Sequence, residues 1–502
     1  MIKDDKILIG KAGDKEIFMY PKQMNRHGLI AGASGTGKTV TLKVIAESLA
    51  EIGVPTVIAD VKGDLSGMIV PGDADGIQGR LESMGIEDYE TRKYRVHFFD
   101  VYQTEGHPVR AVMQEMGPLL LSRIMDLTEA QEGILNIIFR VARDMDLAIY
   151  DLKDLQAMTN YVYEKSRELS GQYGNVSKQS VGAIQRKLLV LEEEGGNLFF
   201  GLPALNIDDW IAREGGQGMM NIIECDQLFQ HPALYSMFLF WMLSELYKKL
   251  PEVGDLDKPK VVFFFDEAHL LFQDAPKQLL LKISQTVKLI RSKGVGVFFC
   301  TQVPSDIPTD VLGQLSNRIQ HSLRAYTPSE IKAAKLAADS FRQNPELDAA
   351  EAISNMKTGT ALVSVLGDDG APTIVEKTKI LPPRSSMNIA DKALIERCIN
   401  GDSIYGIYEK TIDPDSAYEI IDDIRADELR AEQEQKEAEI KAKAEAKEAE
   451  RRAREEARAA EKKANEKTWA DRVGQKAQRR LETELVNMAA RSAKKMLKNF
   501  LK

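Results

Sequence analysis

The run Gly32-Ala33-Ser34-Gly35-Thr36-Gly37-Lys38-Thr39 restricts this chain more than any other. It fits G-x-x-x-x-G-K-[ST], the pattern of a phosphate-cradling loop. Glycines let successive backbone N–H groups turn inward around phosphate oxygens, where a side chain would obstruct them. Lys38 is spaced to reach the β- and γ-phosphates, and the Thr39 hydroxyl to ligate magnesium. The pattern also dictates its neighbours: a buried strand before it, and after it a helix whose positive end faces the phosphates. The sequence supplies both. His27–Ala31 is a short apolar run, and Val40, Val44, Ile45 and Leu49 recur at helical spacing within Thr39–Ile52. A plain glycine-rich turn would explain the eight residues but not their flanks. Gly32 to Val40 are therefore the expected binding residues, for ATP with Mg2+.

A second motif answers the first. Val261–Phe265 is an apolar strand pattern that ends in Asp266-Glu267. Asp266 is placed to hold the magnesium, and Glu267, one residue further, to act as general base on the attacking water. A strand-to-loop cap is the bland alternative. Val297–Cys300 leads to Thr301 and Gln302, and Gln302 suits a γ-phosphate sensor. Asp60-Val61-Lys62-Gly63-Asp64 follows another strand pattern; its charges face the nucleotide, a neighbouring subunit or solvent, and spacing does not choose among these. A sheet of this kind leaves the departing phosphate without positive charge on its open side, which ring ATPases supply from the next subunit. Arg26 and Arg291 are the candidates, with Arg318 and Arg324 as lesser ones; a lone arginine is otherwise a surface charge.

The rest of the chain reads as α/β. Ile7–Tyr20 suggests two strands around Gly13-Asp14. Further strand patterns are Pro55–Asp60, Tyr94–Val101, Gly218–Cys225, Lys260–Asp266, Gly294–Thr301, Arg318–Leu323 and Gly359–Leu366. Helical patterns such as Ala233–Leu250 and Pro276–Arg291 lie between them, so a mostly parallel central sheet is expected. Helical patterns dominate 110–215 (Gly117–Met145, Asp151–Leu169, Ser180–Glu193), read as an insertion. The expected regions are 1–109 and 216–385 for the two parts of an ATPase core, with 110–215 inserted between them. A small helical segment at 386–424, a charged helical linker at 425–467 and a basic amphipathic tail at 468–502 follow.

Composition sets bounds. No run of about 18 uncharged apolar residues is present, which excludes an ordinary transmembrane helix. The opening MIKDDKILIG lacks the pattern of a signal peptide. Three dispersed cysteines and six scattered histidines give no disulfide framework or zinc spacing. A cytoplasmic protein without structural metal is expected. The net charge of −9 is uneven: residues 425–467 balance, 468–502 carry +6, and −15 is left for 1–424. An acidic body is a poor general surface for nucleic acid, so any such site is local. In the tail, Trp469, Val473, Leu481, Leu485, Met488, Met496, Leu497, Phe500 and Leu501 alternate with Arg and Lys. Such a segment docks on the body, on another subunit, on an anionic membrane surface or on nucleic acid.

Taken together, Asn25-Arg26-His27-Gly28-Leu29-Ile30-Ala31-Gly32, Asp266-Glu267-Ala268-His269 and Arg291-Ser292-Lys293-Gly294-Val295-Gly296 leading to Thr301-Gln302 resemble the HerA/FtsK branch of P-loop motor ATPases. Within it, the chain is most similar to the bacterial HerA-helicase-like group. The similarity covers roughly residues 1–385. It implies a RecA-like core, a homo-oligomeric and specifically hexameric ring, and ATP-driven translocation of double-stranded DNA through a pore. Position by position, it implies nucleotide binding by Lys38 and Thr39, magnesium at Asp266, the base at Glu267 and the sensor at Gln302. Arg26 and Arg291 match arginines that act across subunits. The residues ahead of Asn25 are too few for the β-barrel domain of HerA proper, and with it goes the expectation of a docked nuclease. Two readings follow: a ring-forming DNA translocase or helicase, and an ATPase that remodels protein partners, held at a membrane by its tail.

Overall fold

The computed structural model describes residues 1–272, 277–324 and 326–499. One sheet organises residues 1–421. From one edge its strands run Lys6–Ala12, Glu376–Ile380, Thr360–Ser364, Asn317–His321, Gly28–Ala31, Val295–Thr301, Val261–Phe265, Thr56–Asp60, Met220–Glu224 and Val96–Asp100. From Asn317–His321 onward all neighbours are parallel. On the Lys6–Ala12 side the sheet is extended by antiparallel pairings, ending in the hairpin of Lys6–Ala12 with Lys15–Met19.

The central strands are buried on both faces, which is why they read as unbroken apolar runs. Val261, Phe263 and Phe265 enter one layer, while Val262 and Phe264 enter the other. The second layer is covered by the helix Lys38–Glu51 through Leu42, Ile45 and Leu49. The first is covered by the helices of 110–215 and by Pro232–Lys249, which share its core with Leu29, Val57, Phe99 and Phe263. The inserted helices thus serve as one wall of the sheet.

Several expectations are corrected. The pattern Gly117–Met145 is two helices, Met113–Ile124 and Glu129–Asp144. Gly117 takes φ 70° because the following Pro118 disfavours helical backbone there. Thr128 and Gln131 then form a capping box that starts the second helix. Asp151–Leu169 likewise divides into Leu152–Glu164 and Ser166–Tyr173. The strand Glu376–Ile380 was not expected; only Thr378 and Ile380 of it are buried, so its charged outer face hid the pattern. Pro276, in the pattern Pro276–Arg291, lies outside the described residues; Lys277–Ile290 is helical.

The C-terminal segments join into one 83-residue helix, Ala417–Asn499. No break separates the charged stretch from the basic tail, since no proline occurs and Ala, Glu, Lys and Arg are all good helix formers. Continuous helix of that length spans about 125 Å. Residues 1–421 and 422–502 are separate compact units. In the second unit Trp469, Leu481, Leu485 and Met488 are exposed, while Phe500 and Leu501 lie outside the described residues. Among the described residues no helix is long and apolar enough to cross a membrane.

Candidate nucleotide site

Strand order gathers the motifs. The sensor strand Val295–Thr301 lies between the loop-bearing strand and the twin-acid strand, with Thr301 beside Ala31 and Phe299 beside Phe265. All three run parallel and end at the same edge. At about 4.8 Å per strand, Gly32 and Asp266 emerge roughly 10 Å apart, with Gln302 between them.

The loop is fixed at its base and open at its mouth. Gly32 N–H donates to Thr301 O at 3.1 Å and Ala33 N–H to Ser322 O at 2.9 Å. A Cβ on Gly32 would sit 2.5 Å from His321 Cβ, so only glycine fits. Gly37, at φ 116°, sets the bend that starts the helix. Among the described residues, the N–H groups of Ser34, Gly35, Gly37, Lys38, Thr39 and Val40 make no hydrogen bond. Open amides at a helix start are what a polyphosphate requires. Lys38 is buried and folds back, its Nζ donating to Gly32 O at 2.7 Å. Burial lowers its pKa, and Glu267 and Asp266 act on it against that shift. The lysine and both acids therefore share one electrostatic site.

At the twin-acid tip, burial pushes Asp266 up to about 6. Glu267 takes φ 45°, a left-handed backbone that costs a glutamate about 1–3 kcal/mol and that clusters at working sites. Its Oε1 pairs with Lys62 Nζ at 2.5 Å, and its Oε2 lies 3.5 Å from Gln302 Nε2, a loose contact. Burial would raise the Glu267 carboxyl, but the Lys62 bond and charge outweigh it and hold it low. A cavity of about 220 Å³ adjoins the loop, lined by Ser34, Gln302, Leu323, Arg324 and Glu330.

Arg26 and Arg291 do not join this group. Arg26 precedes the strand Gly28–Ala31, and Arg291 precedes Val295–Thr301, so both stand at the amino edge of the sheet. The sensor strand alone puts about 23 Å between Arg291 and Gln302. Arg318 caps the carbonyls of Leu315, Leu312 and Ser340. Arg324 lines the cavity beside Ser34.

Three residues to which the motifs assign no role support the site. His321 closes the underside of the loop, its Nε2 2.8 Å from Thr41 Oγ1, and burial lowers it to about 4, so it is neutral. His27 accepts from Val297 N–H through Nδ1 at 3.1 Å and donates from Nε2 to Val287 O at 2.8 Å. Glu47, on the helix after the loop, accepts from Arg384 N–H, Ser385 N–H and Ser385 Oγ. Each of these contacts depends on long-range packing, and no local pattern marks it.

A parallel sheet with a phosphate loop, a facing strand ending in two acids and a sensor strand between them defines a P-loop ATPase of the RecA-like type. The Helicase HerA-like C-terminal family matches residues 5–499, and the chain belongs to it. The DNA double-strand break repair helicase HerA of Sulfolobus acidocaldarius is 21% identical over 365 residues, covering 71% of this chain and 65% of that protein. The same helicase of Saccharolobus solfataricus is 22% identical over 373 residues, covering 71% and 64%. The chain thus spans just under two thirds of these relatives. Among solved structures, the bacterial conjugative coupling protein TrwBdeltaN70 shares the fold at a TM-score of 0.51 and 15% identity, covering 77% of this chain and 93% of that one. The plasmid coupling protein TrwB in complex with ADP and Mg2+ does so at 0.52 and 16%, covering 78% and 93%.

Proposed function

We propose that this chain is a ring-forming, ATP-hydrolysing motor that translocates double-stranded DNA. The observation that carries the ATPase is the convergence of open loop amides, Lys38 and the Asp266–Glu267 pair at one sheet edge. The residues present fit ATP with Mg2+: the amides of Ser34 to Val40 and Lys38 would hold the phosphates, and Thr39 and Asp266 the metal. Bound there, the metal would supply positive charge against the phosphates. Glu267 takes the proton of the attacking water, and Gln302 orients that water or the γ-phosphate. Arg26 and Arg291 act on a neighbouring copy's site in a homo-oligomer, a hexamer by the family resemblance.

The DNA role is supported by family membership and by relatives named as DNA repair helicases. The charge of −15 on residues 1–424 favours a second reading, an ATPase that remodels protein partners, with the +6 tail at a membrane surface or a protein. ATPase rate with and without long duplex DNA, across a salt series, decides. The motor on DNA is expected to be stimulated at low salt, with the stimulation fading as salt rises. No response at any salt sinks that substrate and leaves the second reading.

A further inference from the structure

The site holds a cation that the nucleotide chemistry above does not use. Lys62 Nζ lies 2.5 Å from Glu267 Oε1 and 3.9 Å from Asp266 Oδ2. These carboxylates are the base and the metal-side acid of the proposed reaction. The placement is built by the backbone. Strand Thr56–Asp60 pairs directly with Val261–Phe265, and Asp266 N–H donates to Ala59 O at 3.3 Å. Beyond that strand the chain wraps around the buried carboxylate of Asp60, which accepts from the N–H groups of Lys62, Gly63 and Leu65 at 3.1, 2.9 and 2.9 Å. Gly63, at φ 68°, permits the reversal. The turn aims Lys62 across the tip of the neighbouring strand. Its side chain is 40% exposed, so a flexible stem has a way out. Lys38 is meanwhile held on Gly32 O.

We propose that Lys62 is a placeholder for the divalent cation: its pairing with Asp266 and Glu267 and the binding of metal are alternatives, so Lys62 withdraws when metal and nucleotide enter, freeing Glu267. This rests on the nucleotide site proposed above. Two adjacent buried carboxylates need a counter-charge, and losing it is costly. An ammonium meets that need without metal. It cannot stay once a dication settles beside Asp266, because like charges about 4 Å apart repel strongly away from bulk water. Metal binding and Lys62 pairing therefore exclude each other. The base is withheld until its metal is in place, and metal affinity is lower than the acids alone would give.

Lys62→Met keeps most of the stem and removes the charge. Mn2+ binding in the presence of ADP, followed by electron paramagnetic resonance, reads the competition without turnover. Lys62→Met is expected to bind Mn2+ at least about tenfold more tightly, and Lys62→Arg to stay near wild type. Unchanged affinity in Lys62→Met overturns the proposal. Weaker affinity overturns it too, making Lys62 a phosphate ligand. If Lys62→Met does not fold, the charge-balanced pair Lys62→Met with Glu267→Gln is compared with Glu267→Gln alone, and the same tightening is expected. Wild-type protein that takes up no Mn2+ with ADP removes the nucleotide reading itself. Wild-type uptake with no change in the variants removes only the placeholder.

Discussion

Glu267 meets two demands at once. Its backbone sits at φ 45°, and its carboxylate is shared between Lys62 and the neighbourhood of Gln302. A glutamine there keeps the shape but cannot take a proton. Glu267→Gln should retain ATP while turnover falls by at least about 100-fold, the lower range for losing a general base. Lys38→Ala should abolish nucleotide binding, measured by titration with a fluorescent ATP analogue; undiminished affinity would refute the phosphate-loop assignment. The two motifs were readable because their chemistry lies in consecutive residues. Lys62 was only half readable. Its loop carries a charged pattern at a strand end, but its partner depends on which strand lies beside Thr56–Asp60 and on the turn around Asp60, and neither is written locally.

Strands carry this site more than helices do. The expected strands of the parallel core all appear within a residue or two of their patterns, because burial on both faces leaves continuous apolar runs. The half-exposed strand Glu376–Ile380 lacks such a run, so its pattern is hidden. His27 ties the backbone around the two arginines together, since it bonds both Val287 and Val297. Arg291→Ala should spare nucleotide binding and reduce hydrolysis. Mixing Arg291→Ala with Glu267→Gln chains should restore part of the activity, and no recovery would argue against action across subunits. A short strand at the far edge of the sheet, His107–Pro108, is tied down by charge. His107, next to Val96–Asp100 in the sheet, bonds Glu409 through Nδ1 at 2.5 Å and Asp402 through Nε2 at 3.2 Å. Burial alone would lower its pKa, but the two carboxylates raise it above the ordinary value of about 6.5. The folded state therefore binds that proton more tightly than the unfolded state. The contribution is complete below about pH 6.5 and is lost as pH rises through the raised value. His107→Gln should cost about 3 kcal/mol at pH 6, with a smaller deficit at higher pH, read by urea unfolding. A deficit that does not shrink with pH would mean His107 acts by packing alone.

At the scale of the whole chain, the two compact units differ in what they need. Residues 1–421 have their own core, to which Ala417 and Ile421 belong. Ending the chain after residue 424 should leave the melting temperature of this unit within about 3 °C, whereas ending it after 416 removes those two buried anchors and should lower it clearly. Calorimetry on the two truncations checks this. The joined C-terminal helix was not foreseen as one element, because charge composition changes at 467 while helix propensity does not. The placement of Arg26 and Arg291 has a further consequence. Each stands a strand's length behind its own phosphate loop, so under the proposed action across subunits an isolated copy would have half of two catalysts and the whole of none. Specific activity should then fall on dilution, as assembled copies come apart, even while every chain stays folded and saturated with nucleotide.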